Sequence, residues 1–229
     1  MKRSEINIAI TMAKEVLAKH NFYLPFFAHM KPEDWKNAGS EYRRIILNKL
    51  GWDISDFGGN DFNTFGTVQF TLRNGRHDNI EEGTPYAEKY IILKPGQRLP
   101  IHFHFTKTED IINRGGGILV MELYNALEDN SVDFHNDVTV FCDGAQKAVK
   151  AGVPFDIEQG ASITLTPKLY HRFWADKHEG ILICGEVSTV NDDLKDNHFA
   201  EPVRRFAEIE EDEEPIHLLC NEYQGGLRI

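Results

Sequence analysis

The sequence predicts a mainly β protein: an antiparallel barrel or sandwich, preceded by a helical region and followed by a C-terminal arm. Three observations carry this expectation. From about residue 65, apolar residues recur at every second position, as in Val68, Phe70 and Leu72, the period of a half-buried strand. Turn signals at Lys94-Pro-Gly-Gln, Arg114-Gly-Gly-Gly, Asp143-Gly and Glu179-Gly divide the stretch into short segments. Helical segments between them are too scarce to serve as the crossovers of a parallel sheet.

The elements follow in order. Ser4 is placed to cap a first helix, whose apolar face is Ile6, Ile10, Ala13 and Leu17; that face is available for a subunit contact. Pro32 opens a short helix with Glu33 and Asp34 in its first turn and Gly39 closing it. Residues 40–50 read as a third helix with Gly51 as its stop. Strands are expected at 86–93, 100–105, 118–124, 138–141, 161–166, 170–174 and 181–187. The chain is read as one domain, 1–229, made of a helical region (1–50), a β barrel (65–190) and an arm (191–229). The arm opens with a polar stretch, and its acidic run Glu208-Ile-Glu-Glu-Asp-Glu-Glu reads as solvated. Residues 224–229 read as a loose end.

Composition narrows the function classes. The 229 residues carry 25 Lys+Arg against 36 Asp+Glu, a net charge of −11. That speaks against a general nucleic-acid binder and against docking on anionic lipid. The charge is uneven: residues 1–50 carry +4 and residues 191–214 carry −7, so the basic helices and the acidic arm are candidates for mutual contact. Apolar residues make up 41%, including 15 Phe, enough for a core. No apolar run is long enough to span a membrane, and the N-terminus lacks a signal peptide's apolar region. Three widely spaced cysteines, Cys142, Cys184 and Cys220, point to reduced, buried thiols and a cytoplasmic location. His20, His29, His77, His135, His178, His198 and His217 read as surface or capping residues.

The chemistry lies in two segments. In Gly96-Gln-Arg-Leu-Pro-Ile-His102-Phe-His104-Phe-Thr-Lys-Thr-Glu109, a strand projects His102 and His104 from one face and Ile101, Phe103 and Phe105 from the other. Glu109 can swing in from the following turn. In Gly160-Ala-Ser-Ile-Thr-Leu-Thr-Pro167-Lys-Leu-Tyr-His171, a Gly-bounded strand and turn deliver a third imidazole. Three imidazoles and a carboxylate suit Mn²⁺, Fe²⁺, Co²⁺, Ni²⁺ or Zn²⁺ with positions left for water or substrate. The absence of thiolate speaks against a structural zinc.

These segments resemble the two signature motifs of the cupin superfamily. The first matches from Gly96 through His102-x-His104 and Glu109 to Gly116. The second is looser, with Pro167 four residues before His171 and no intervening Gly. The resemblance implies a double-stranded antiparallel β barrel (jelly roll) with the metal in its mouth.

Further motifs resemble one family: Glu88-Lys-Tyr, Glu109-Asp-Ile-Ile-Asn-Arg-Gly-Gly-Gly117, Gly185-Glu186-Val-Ser-Thr-Val-Asn-Asp-Asp193 and His217-Leu-Leu-Cys-Asn-Glu-Tyr223. They are similar to the D-lyxose ketol-isomerases over nearly the whole chain. That resemblance implies interconversion of D-lyxose with D-xylulose and of D-mannose with D-fructose, a divalent metal that is commonly Mn²⁺, and a homodimer. Such a reaction moves a proton between C1 and C2 through a cis-enediol(ate), so it needs electrophilic help at the oxygens and a general base. Glu186, a carboxylate on the Leu182/Cys184 face of an otherwise apolar strand, is the first candidate base. Lys107, between the histidine pair and Glu109, and Lys89, opposite in facing to Glu88, are candidate proton carriers. Asp193 and Arg204 read as surface residues that could alternatively close the mouth. An Fe²⁺-dependent cupin dioxygenase, a phosphosugar isomerase using Arg98, Arg114 or Arg172, and a non-enzymatic sugar-binding cupin remain as alternatives.

Overall fold

The computed structural model describes residues 1–79, 81–193 and 195–223; the expected loose end at 224–229 lies outside them. Helix α1 spans Arg3–Lys19, with Lys2 rather than Ser4 in the capping position. Ser4 sits inside the first turn, where its hydroxyl and N–H both donate to Asp212. Helix α2 (Pro32–Lys36) opens on Pro32 as expected but ends at Asn37, short of Gly39. The third helix is much shorter than 40–50: a 3-10 turn at Ser40–Tyr42 leads into α3 (Arg43–Leu47). Gly51 does not stop it. With φ at 117°, a backbone state that glycine adopts without steric cost, Gly51 opens a strand.

Among the described residues the strands are β1 (Gly51–Ser55), β2 (Thr67–Arg73), β3 (Tyr86–Leu93), β4 (His102–His104), β5 (Glu109–Gly115), β6 (Leu119–Ala126), β7 (Val132–Asp133), β8 (Val138–Cys142), β9 (Ala145–Val149), β10 (Phe155–Ile157), β11 (Ser162–Leu165), β12 (Leu169–Ala175), β13 (Leu182–Thr189) and β14 (Asn197–Phe199). One antiparallel sheet runs β1-β2-β3-β13-β5-β11-β8-β9 and the other β10-β6-β12-β4-β14, with β7 added beside β6. The fold is therefore mainly β, two antiparallel sheets closing on a shared interior. The anticipated strands are present, 86–93 with the expected ends and the others with shifted ends. Six others, β1, β5, β7, β9, β10 and β14, were not anticipated; β5 places Glu109 on a strand rather than in the expected turn. Three of them, β7, β10 and β14, have only two or three residues, and β9 is exposed at four of its five positions, so it carries no period-two signal. Among the described residues no helix is long and apolar enough to cross a membrane.

Alternation gives the large sheet two unlike faces. Its inner residues, including Ile91, Leu93, Ile111, Ile163 and Cys184, meet Met121, Leu123 and Phe173 of the second sheet. Its outer residues, including Trp52, Ile54, Val68, Phe70, Ile92 and Ile183, pack against Ile6, Ile10, Ala13 and Leu17 of α1. Each such side chain, fully buried, stabilises the fold by about 1.5–3 kcal/mol. The apolar face of α1 is thus consumed within the chain and is not free for a second subunit.

The acidic run keeps its carboxylates exposed, as expected, but it is docked against α1. Residues 208–214 lie along the start of α1: the Arg3 N–H donates to the Glu210 carbonyl, the Arg3 guanidinium binds Glu211 and Glu222, and Asn7 donates to Glu213 at 2.6 Å. The buried Arg3 side chain explains the contact, because an unpaired guanidinium there would be costly. His217 is also not at the surface. It is buried, and it bridges the Met30 carbonyl at 2.8 Å and Lys14 Nζ at 3.1 Å. Cys184 and Cys220 are buried free thiols and Cys142 is half-buried.

Candidate metal and active site

The three histidines come from two adjacent strands. His102 and His104 sit two apart on β4, and His171 on β12 is the register partner of His102. All three point inward, while Phe103 between them is buried on the opposite face. Phe105, also expected in that apolar layer, is partly exposed. The turn before β12 is made by Lys168 in the left-handed region, φ 60°, the position where the sequence offered no glycine. One ligand nitrogen from each histidine lies within 4.8 Å of the others, and all three residues are buried. This group could hold a metal ion.

Hydrogen bonding orients the rings. His102 Nδ1 lies 2.9 Å from the Pro100 carbonyl and His171 Nδ1 lies 2.9 Å from the Leu169 carbonyl. A carbonyl only accepts, so Nδ1 carries the proton and each Nε2 turns a lone pair inward. Glu109, the first residue of β5, brings Oε1 to 3.2 Å from His171 Nε2 and 3.4 Å from His104 Nε2. His171 Nε2 is buried and has no hydrogen-bond partner. A lone pair facing a carboxylate oxygen at that distance is two acceptors in opposition, an arrangement relieved by a cation between them. The donor set therefore fits a divalent ion. Burial, together with the neighbouring imidazoles, holds His102 well below the ordinary histidine range, and burial lowers His104 as well; both are kept neutral, the form in which an imidazole can bind a metal.

Beside the histidines is a chain of alternating charge. Lys107 Nζ is 2.6 Å from Glu109 Oε2 and 3.1 Å from Glu186 Oε1. Lys89 Nζ is 3.2 Å from the same Glu186 oxygen, across the β3–β13 register pair. The Ser188 hydroxyl adds a third donor to Glu186 at 3.2 Å. All four charged residues are buried. Burial opposes the charges of Lys107, Glu109 and Glu186, but the pairing outweighs it. Lys107 is held above the ordinary lysine value by Glu109 and Glu186. Glu109 is held well below the carboxylate range by Lys107 and His104, and Glu186 is lowered by Lys107 and Lys89. The 106–107 backbone is fixed by Asp196, which accepts from both N–H groups and from the Thr106 hydroxyl.

The structure thus brings together His102, His104, Glu109, His171, Glu186, Lys107 and Lys89 in one cavity or against it. Glu88 faces away and pairs with Arg73, as alternation required. Asp193, read as a surface residue, instead lines the cavity. Arg204 is at the surface, as expected, and pairs with Glu208, so it is not the partner of Asp193. That partner is Arg205, whose Nη2 lies 3.2 Å from Asp193 and 2.5 Å from Asp53. Gln69, Asn197 and Arg205 are further polar lining residues that sequence reasoning missed. Gln69 could have been found from the Val68/Phe70 alternation, which turns it to the inner face. Arg205 lies in an irregular segment with no period to orient it. Arg98, Arg114 and Arg172 are not among the lining residues.

A double-stranded barrel with histidines and a glutamate at its mouth is the cupin arrangement, and the fold is shared by known sugar isomerases. The L-ribose isomerase of Cellulomonas parahominis superposes with a TM-score of 0.59 at 15% identity, covering 92% of this chain and 98% of that one. The family model described as D-lyxose isomerase matches residues 1–223. The D-lyxose/D-mannose isomerase of Escherichia coli O157:H7 is 43% identical over 225 residues, 98% of this chain and 99% of that protein. The protein of the same name from Serratia proteamaculans is 42% identical over 224 residues, covering 97% and 98%. The chain belongs to the D-lyxose isomerase family, and it is an aldose–ketose isomerase.

Proposed function

We propose that this protein interconverts D-lyxose with D-xylulose and D-mannose with D-fructose, using a divalent ion held by His102, His104, Glu109 and His171. The observation that carries the mechanism is Glu186, a buried carboxylate kept ionised by ammonium groups on two sides, beside the histidine set. The ion, when bound, would supply electrophilic stabilisation of negative charge on the sugar oxygens.

The chain's own residues account for the proton movements. Glu186 removes the proton from C2 of the aldose and returns it to C1. Between these events O1 gains a proton and O2 loses one. Lys107 is the candidate for that exchange: it is a charged donor next to both carboxylates. Lys89 keeps Glu186 ionised from the other side and positions it. Glu186 is a weaker base than an isolated carboxylate for this reason, but it is always in the correct form at neutral pH. Arg98, Arg114 and Arg172, the arginines available to a phosphosugar reading, lie outside the cavity lining, which favours an unphosphorylated sugar.

Mn²⁺ as the ion, a homodimer and a cytoplasmic location belong to the same proposal; the first two rest on the family resemblance. The test is direct. Protein loaded with Mn²⁺ is expected to convert D-lyxose to D-xylulose and to stop when the metal is chelated. No conversion of lyxose or mannose with any of Mn²⁺, Co²⁺, Ni²⁺, Zn²⁺ or Fe²⁺ would overturn the assignment. Light scattering reports the assembly state.

A further inference from the structure

The cavity at Glu186 offers only about 40 Å³. That is room for a few waters, whereas small-molecule sites usually begin near 300 Å³. A larger groove of about 270 Å³ lies beside it, lined in part by Leu47, Asp53, Thr71, Asn74, Asn191 and Asp193. Asp193 lines both spaces. The partition between them is one side chain thick. It consists of the Arg205 guanidinium, clasped by Asp53 and Asp193, and Asn191, which touches Lys107 Nζ at 3.3 Å and is held through its backbone by Asn74.

Polarity gives the direction. Elsewhere the small cavity is walled by Phe57, Leu99, Phe173 and Phe199, against which sugar hydroxyls would lose their hydrogen bonds with water without replacement. Towards the groove the partition itself is polar, made of Arg205, Asp193 and Asn191, and the groove beyond sets Asp53, Thr71, Asn74, Lys49 and Arg76 among the apolar Leu47, Val190 and Phe206. The sheet register supplies a ruler. Thr71 pairs with Lys89, and Lys89 with Glu186, so Thr71 lies two strand spacings from the base, roughly 10 Å.

Building on the isomerase reading above, we propose that this groove is the subsite for the distal end of the sugar. The reacting carbons lie at Glu186, and the chain beyond them passes Arg205 towards Asp53 and Thr71. Arg205 shifts off Asp193 to admit it, and its planar donors then meet the sugar's hydroxyls. The sixth carbon of a hexose reaches furthest into the groove, so the groove sets the preference between aldohexose and aldopentose. Asp53 is a positioning residue that acts through Arg205.

The test compares kcat/KM for D-mannose and D-lyxose in the full-length, metal-loaded protein. Thr71→Phe narrows the groove from the sheet, and Leu47→Trp narrows it from α3, so the experiment survives misfolding of either variant. Each is expected to lower the mannose-to-lyxose ratio at least tenfold, mainly through KM. Asp53→Asn is expected to shift the same ratio by threefold or more, an effect that mere loss of stability would not produce. Folded variants with an unchanged ratio, beside normal wild-type turnover, would overturn the subsite alone. Absence of turnover of both sugars by the wild type would overturn the isomerase reading and the subsite with it.

Discussion

The two faces of the eight-stranded sheet are built from alternate residues of the same strands, and they do opposite work. On the outer face Trp52, Ile54, Val68, Phe70, Ile92 and Ile183 form a dry layer under α1. On the inner face the intervening Asp53, Gln69, Thr71, Lys89 and Glu186 gather at one end of the barrel, all of them buried. The outer face stabilises the fold through area removed from water. The inner face places charges where only mutual pairing makes them tolerable. One set of strands thus holds a functional site rigidly because its other face is bonded to a helix.

The largest effects are expected at the proposed metal ligands. His171→Ala or His102→Ala is expected to empty the site, abolish turnover and leave far-UV circular dichroism intact. Unchanged metal content by elemental analysis would remove that residue from the site. On the outer face, Phe70→Ala is expected to cost about 3–5 kcal/mol in urea unfolding, while turnover per folded molecule stays near wild type. A large loss of turnover without loss of stability would show that the two faces are not separable in this way.

Smaller effects probe the arm. Arg3→Ala removes charged hydrogen bonds to Glu211 and Glu222 and is expected to cost about 1–3 kcal/mol. The difference from wild type should shrink in 1 M salt, because Glu211 is more than half exposed and so screened. The smallest effect is a pH slope. Burial holds His217 below the ordinary histidine value, so the fold favours its neutral form. The unfolded chain gains the proton first, near pH 6.5, so this contribution is complete above that pH and is lost as pH falls towards the folded value. His217→Gln is expected to flatten the stability profile in that window; an unaltered profile would exclude this histidine as its source.

The legible parts of this molecule were those with a period or a spacing. His102-x-His104 declared its face because strand residues alternate, and Glu186 declared its own by sharing a face with Leu182 and Cys184. Glu88 and Lys89 sorted themselves for the same reason. What stayed hidden lacked such a ruler. Gly51 reads as the stop of a helix and residues 52–55 carry no signal of their own, so β1 and with it Asp53 stay unseen. The arm read as solvent-facing because its acids are consecutive. The opposite charge of residues 1–50 and 191–214 did point to a contact between them, but not to its partner, Arg3, over two hundred residues away. Arg205 was missed and Asp193 put at the surface for the same reason: an irregular segment fixes the direction of a side chain only through tertiary contacts.

The central claim is that Glu186 carries the proton between C1 and C2 while other residues hold the ion. Glu186→Gln preserves shape and removes the base. Steady-state isomerisation of D-lyxose, measured beside metal content on the same Mn²⁺-loaded sample, tests it most directly. The account predicts full metal occupancy with kcat lower by about 10²–10⁴-fold; wild-type turnover in that variant would contradict it.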